Sequence, residues 1–462
     1  MKNLFNNYRK PIIIALFLLA TIIAIFDINL AVGLILLFFL FLITLFVLLR
    51  TKINNNILIW LLIIALIIHL GVVLFIYFFH FQPLGTGGGD FTSYHKIAVE
   101  MSYRFKQGNF SLEGLKITHY YPVIIGIIYI ITLPAMIIGQ LFGVWLSVLA
   151  ILFLYLIVIE LGFSKKWAFI IGLIVCFYPS YLFYGSLLLK DGLVILIFLI
   201  AMLLVLKIIK NFTLKKFVLF YILLGFLFHF RFYIAYAMLF TFVISWFLLV
   251  RAEFFRKKII YGLTMTIVLG FLPEILLNQG FYGIDCFESY FNYSMFNFYQ
   301  EEAYKPKETD FSKESTEVSK IPISLSGFDS TWEKEGVSFK KNPLKFSTNY
   351  LKYFSYVFLG PFPWQMKYSR HLLALPELLS WYVLLYFIII GIGMGIKTGK
   401  KNILPLIIFS VLVLGAITLF INNFGIITRV RMPAYIILLP LIPLAFNGQS
   451  KKYEKNNINI NL

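Results

Sequence analysis

The chain of 462 residues is 60% hydrophobic and only 13% charged, with a formal net charge of +19. Soluble domains carry roughly a quarter charged residues, so an ordinary water-soluble fold is excluded. A nucleic-acid-binding protein would set its Lys and Arg in patches on such a fold, whereas here they punctuate apolar runs, and the composition is that of an all-α polytopic membrane protein.

A helix needs about 20 apolar residues to cross the hydrocarbon. The first such run, 11 to 26, follows "MKNLFNNYRK" and is succeeded almost at once by a second, 30 to 49; no small-residue cleavage site stands out, so it reads as a retained anchor. Further spans are expected at 57 to 79, 143 to 162, 167 to 184, 191 to 207, 217 to 230, 232 to 250, 259 to 277, 378 to 396, 402 to 421 and 433 to 447, about twelve in all. This divides the chain into an N-terminal helical hairpin (1–56), a transmembrane core (57–277) holding a first outer loop (80–142), a large outer loop region (278–377), and C-terminal spans with a tail (378–462). Of the two cysteines, Cys176 falls in a span and Cys286 in a polar loop, which is not a disulfide framework.

Cytoplasmic loops are enriched in Lys and Arg, which places "NYRK", "RTK", "FSKKW", "KIIKNFTLKK", "RAEFFRKK", "KTGKK" and "QSKKYEK" inside, with both termini cytoplasmic. One more apolar run, 120 to 139, would invert every later loop if it crossed; it is expected to be a re-entrant or interfacial helix pair broken at Pro134. Chemistry on polar groups then belongs to the outer face, because the inner loops are short and merely basic.

The first outer loop opens with "GTGGGDFTSYHKIAVEMSYRFKQG". Asp90 stands at an expected helix N-cap and Gly108 just past the helix end, with Tyr94, Ile97, Ala98, Met101 and Phe105 on one face. An acid at the membrane boundary after three glycines is placed to meet a lipid-linked polar head, although a simple capping role fits the same residues. Tyr94 and His95 follow it on the first turns and join the candidate substrate contacts. A second candidate catalytic acid, Asp191, comes with Lys190 where "SLLLKDGLVI" re-enters the bilayer; a cap with a snorkelling lysine is the plainer alternative. His229 and Arg231 lie in so tight a turn, "LFHFRFYIAYAML", that the arginine must sit at or just below the outer surface, where cations are usually paired or functional. Arg429 and Arg431 in "NNFGIITRVRMPAY" add a pair able to clamp a phosphate. No metal-ligand spacing occurs; the cofactor is unknown, and a divalent metal is compatible with the sequence without being required by it.

Taken together, the loop acid, the segment "YYPVIIGIIY", "LFYGSLLLKDGLVILIFLIAMLL", "FHFRFYIAYAM" and the late "RVRMPAYIILLPLIP" resemble the GT-C superfamily of integral-membrane glycosyltransferases. The nearest type is the dolichyl-phosphate-mannose protein mannosyltransferase-like group with its aminoarabinose transferase relatives. The resemblance covers roughly residues 57 to 250 and, more loosely, the C-terminal hairpin. It implies a polyprenyl-phosphate-linked sugar as donor, Asp90 as the acid serving transfer, and Arg231, with Lys190 and Arg429 or Arg431, on the phosphate. Many members carry two adjacent acids where this chain has "GGGDF". The chemistry is self-sufficient: a carboxylate takes the acceptor hydroxyl's proton and cations stabilise the leaving lipid phosphate. Two other classes compete. An envelope polysaccharide polymerase or ligase would lean on Arg and His rather than Asp90, and a lipid-linked oligosaccharide flippase or transporter would show related halves and midplane charges.

Overall fold

The computed structural model describes residues 23–51, 55–80, 90–115, 120–250, 255–270, 343–362, 374–421 and 424–446. Most of the expected first span, the three glycines before Asp90, and most of the 278 to 377 region lie outside these residues, as do Cys286 and the C-terminal tail. Among the described residues all regular structure is helical, and seven helices are long and apolar enough to cross a membrane, or eight if one bent pair is a single span.

Two antiparallel spans begin the described chain, α1 (Ile28–Arg50) and α2 (Asn56–Phe79), each capped by a side chain: Asp27 accepts from the amide of Leu30 and Asn55 from that of Ile57. Tyr77 Oη donates to Asp27 at 2.6 Å, which brings the start of α1 and the end of α2 together. The amphipathic α3 (Asp90–Lys106) follows, then the short α4 (Tyr121–Ile131) and the long α5 (Met136–Glu160). A bent pair, α6 (Lys165–Cys176) and α7 (Pro179–Gly185), leads to α8 (Asp191–Lys210) and α9 (Leu214–Leu249). After α10 (Phe255–Gly270) come α11 (Pro343–Leu359), α12 (Leu375–Lys397), α13 (Leu404–Phe420), α14 (Phe424–Val430), α15 (Met432–Leu438) and α16 (Ile442–Phe446). Helices α5 and α8 are the most enclosed of the spans, and α1 and α12 turn most of their surface outward, as lipid-facing helices do.

Side-chain bonds order the two ends of this bundle. Asn55 Nδ2 donates to Tyr155 at 3.0 Å, and Lys210 pairs with Glu160 at 3.3 Å, so the ends of α5 and α8 share one end with the α1–α2 turn. Lys400 Nζ lies 5.0 Å from the ring centre of Phe163, adding the end of α12. The expected inner basic segments around Arg50, Lys165, Lys210 and Lys400 therefore gather at one end, and the starts of α5 and α8 lie at the other.

Helix α4 is 11 residues, or about 16 Å, too short for a hydrocarbon core of about 30 Å, and it does not cross by itself. It packs on α3 so closely that a Cβ at Gly126 would lie 2.9 Å from the Met101 sulfur and 3.3 Å from the Ala98 carbonyl. Tyr94, Ala98 and Met101 are the buried face of α3, as its spacing predicts. Its end is also as expected: Gly108 has φ +79° and the amide of Asn109 returns to the Arg104 carbonyl at 3.0 Å, the Schellman closure.

Four boundaries differ from the sequence reading. The fourth expected span starts at Met136 rather than 143, so the residues after Pro134 belong to α5 and not to an interfacial pair. The fifth is broken by 65°: Pro179 holds Tyr178 extended and cannot donate to the preceding turn. The last, 433 to 447, is a succession of short helices around Pro433, Pro440 and Pro443. Finally, α11 lies within the expected outer loop, yet packs on α13, with Tyr350 Oη donating to the Gly415 carbonyl at 3.2 Å.

The expected turn at Arg231 is present. Arg231 has extended dihedrals (φ −154°, ψ 90°) inside α9. Across that break the rings of Phe220 and Phe242 lie 5.0 Å apart, those of Phe212 and Trp246 5.9 Å, and those of Phe228 and Tyr236 4.7 Å. In a straight helix Phe220 and Phe242 would be about 33 Å apart. The chain thus doubles back at Arg231, and α9 is a helical hairpin of two short limbs.

Candidate functional site

Three separate chain breaks deliver charges to the same place. Asp191 is the first residue of α8, where the helix dipole favours an anion. Arg231 is the tip of the α9 hairpin, and Arg429 is the penultimate residue of α14, one turn before Met432. Arg429 Nε donates to Asp191 Oδ2 at 2.6 Å, and Arg231 Nη2 donates to Asp191 Oδ1. Arg429 Nη1 reaches in the other direction, to Asp90 Oδ2 at 2.7 Å. A continuous chain of alternating charge, Asp90–Arg429–Asp191–Arg231, therefore links residues from α3, α14, α8 and α9. Arg231 Nη1 also donates to Tyr233 Oη at 2.5 Å, while its Nε is buried and unpartnered.

The two carboxylates are in different situations. Asp191 is 4% exposed and both its oxygens are taken by guanidinium groups, so it organises the arginines. Asp90, at 55%, is open to solvent and held through one oxygen. It is the first described residue of α3, and among the described residues its carboxylate is bound by Arg429 rather than by a backbone amide of its own helix.

Lys190, immediately before Asp191, is 5% exposed, and its ammonium makes no hydrogen bond or ion pair with a described residue. Burial, followed by the Arg231 charge, lowers its pKa to about 7. With the two arginines balanced by the two aspartates, Lys190 is the surplus cation of the cluster. The Arg429 guanidinium is stabilised as a cation: burial opposes its charge, but Asp191 and Asp90 outweigh that and raise its pKa. Tyr94 is buried on α3, its phenol pushed up to about 12 by burial and by the Asp90 charge.

The remaining candidates divide. His95 Nδ1 lies 2.9 Å from Tyr129 Oη on α4, a bond that docks α3, and burial lowers the imidazole's pKa. His229 packs edge-on against Tyr120, with ring centres 5.3 Å apart. Arg431 does not join Arg429. Residues two apart on a helical path face opposite sides, and Arg431 turns inward to donate to the carbonyls of Gly360 (2.6 Å) and Val357 (3.0 Å), with Glu377 at 3.8 Å. Its expected contact with substrate is replaced by a buried structural role.

Sequence reading missed the partners of that second network. Glu377, at the start of α12, accepts from Tyr178 Oη and the Ser180 amide, both at 2.9 Å, and from the Ser180 hydroxyl. Trp381 and Tyr435 stack beside it at 3.6 Å. An acid immediately before an apolar run was the available signal. Tyr121 was also passed over as part of an apolar word; its buried hydroxyl has no partner, and its ring meets that of Tyr94 at 5.9 Å. Among the described residues no three His, Cys, Asp or Glu side chains come together as a metal-binding group.

These features define the class: a polytopic α-helical membrane protein with a two-arginine, two-aspartate cluster, buried at Asp191 and Arg231 and open at Asp90, at the bundle end opposite its basic loops. The chain matches no known family model, no curated protein and no solved structure.

Proposed function

We propose that the chain is a membrane glycosyltransferase that moves a sugar from a polyprenyl-phosphate donor to an acceptor at the outer face. The observation that carries the reading is the convergence of Asp90, Arg429, Asp191, Arg231 and Lys190 at one end of the spans. A lipid phosphate sits at that depth, and three cations beside one exposed carboxylate are the groups its displacement chemistry needs. The acceptor hydroxyl attacks the anomeric carbon, the bond from that carbon to the phosphate oxygen breaks, and the hydroxyl proton passes to Asp90. The departing lipid phosphate leaves with its electron pair onto Arg429, Arg231 and Lys190. Asp191 holds the two guanidinium groups in register and, with both oxygens occupied, accepts no proton in this scheme.

The test is reconstitution of the full chain in vesicles with radiolabelled polyprenyl-phosphate sugars and a cell-envelope extract as acceptor. Label should leave the lipid in an Asp90-dependent manner. Absence of label transfer across hexose and pentose donors overturns the reading.

A further inference from the structure

Arg429 serves two carboxylates, and they hold it unequally. Asp191 is enclosed and doubly bound, so its bond to Nε belongs to the permanent frame of the site. Asp90 lies on the open side and touches Arg429 through a single 2.7 Å contact to Nη1. Buried charge pairs are hard to break because each partner would be left uncompensated, whereas exposed pairs are weak and exchange with solvent and ions.

An anionic ligand approaching from the open side meets Arg429 with that nitrogen already occupied by another anionic oxygen. While it holds Arg429 the Asp90 carboxylate is anchored through Oδ2, and release of that contact lets the whole group turn toward an acceptor. We propose that Asp90 is a built-in stand-in for the donor phosphate: it occupies Arg429 in the empty site, is displaced when the phosphate takes its place, and is thereby freed to act as base. Release of Asp90 is then coupled to donor binding, and until a donor arrives the outer nitrogen of Arg429 keeps an anionic partner. This rests on the phosphate-binding reading above and adds an exchange step to it.

The experiment measures binding of farnesyl phosphate to the full-length protein in detergent at fixed pH and salt, for the wild type, Asp90→Asn, Asp90→Ala, Arg429→Gln and the Asp90→Asn/Arg429→Gln double variant. Removing an exposed competing carboxylate should tighten binding about three- to tenfold in both Asp90 variants, the scale of an exposed ion pair together with relief of like-charge repulsion. That gain should vanish in the Arg429→Gln background, because the competition is for Arg429. Unchanged or weaker binding in both Asp90 variants overturns the exchange and leaves the phosphate site standing, as does a gain that persists without Arg429. Failure of every form, including the wild type, to bind farnesyl phosphate overturns the phosphate site and the exchange together. Tightening without any sugar transfer in the vesicle assay supports the exchange while removing the transferase reading.

Discussion

Substituting the two aspartates in turn separates burial from charge, because both touch the same guanidinium. Asp191→Asn leaves the shape of the site but removes the charge from between Arg231 and Arg429, and its amide points a donor at one of them. The residue is 4% exposed, so water does not restore the lost solvation. Breaking a buried pair by removing one partner typically costs about 3–5 kcal/mol, and two cations depend on this one anion, which places the expected loss in the upper part of that range. Asp90→Asn removes the exposed arm only and should cost about 0–1 kcal/mol. Stability is read by unfolding the purified protein from mixed micelles with increasing SDS, following tryptophan fluorescence. A second variant guards against general damage: adding Arg231→Met to Asp191→Asn removes one of the stranded cations and should recover part of the loss. Equal effects of Asp191→Asn and Asp90→Asn, or no recovery in the double variant, would refute the division into a frame carboxylate and an exchangeable one.

On turnover the ranking reverses in meaning: Asp90→Asn should fold normally and still bind the donor, yet lose about 10²- to 10⁴-fold in transfer, measured with the vesicle assay, as expected for a missing general base. Lys190 sets a pH dependence. Its ammonium is present below about pH 7 and lost above it, so binding of a prenyl phosphodiester, whose own charge is constant, should be tightest below pH 7 and weaken by up to about tenfold per unit above it; Lys190→Arg should abolish that decline, and a decline that survives would exclude Lys190. The same depressed pKa means the folded protein holds fewer protons than the unfolded one between about pH 7 and 10.5, so stability should rise with pH across that window and the slope should shrink in Lys190→Met, read by thermal unfolding. Glu377→Ala strands the buried Arg431 and should destabilise by about 3–5 kcal/mol, while Arg431→Met/Glu377→Met should recover much of it. Cysteines placed at Glu113 and Ser164 should react with impermeant reagents from opposite sides; labelling of both from one side would overturn the topology.

The span pattern was legible in part, with seven or eight helices of spanning length among the described residues where about twelve were expected, because crossing a bilayer imposes a local, one-dimensional demand for enough consecutive apolar residues. Hence α1, α2, α8 and α12 fall where the apolar runs do, and the basic segments collect at one end. The buried face of α3 and its glycine closure follow from helical periodicity and from the left-handed backbone at Gly108. The tight turn at Arg231 was equally local, forced by two apolar runs with only a few residues between them.

Which charges meet is a different kind of fact. Asp90 and Arg429 are 339 residues apart and Asp191 and Arg429 are 238 apart, and no periodicity connects them. Sequence could nominate each as a costly ion at a membrane boundary; only the packing of α3, α8, α9 and α14 pairs them, and only burial makes Asp191 a frame and leaves Asp90 free to exchange. The same limit separated Arg429 from Arg431. Both look like phosphate ligands in "TRVRM", but two residues along a helical path point opposite ways, and the second finds Glu377 across the bundle. Local apolarity and helical period therefore determined the elements, whereas the cost of burying each charge, satisfied only by partners distant in the chain, decided which residues make the site.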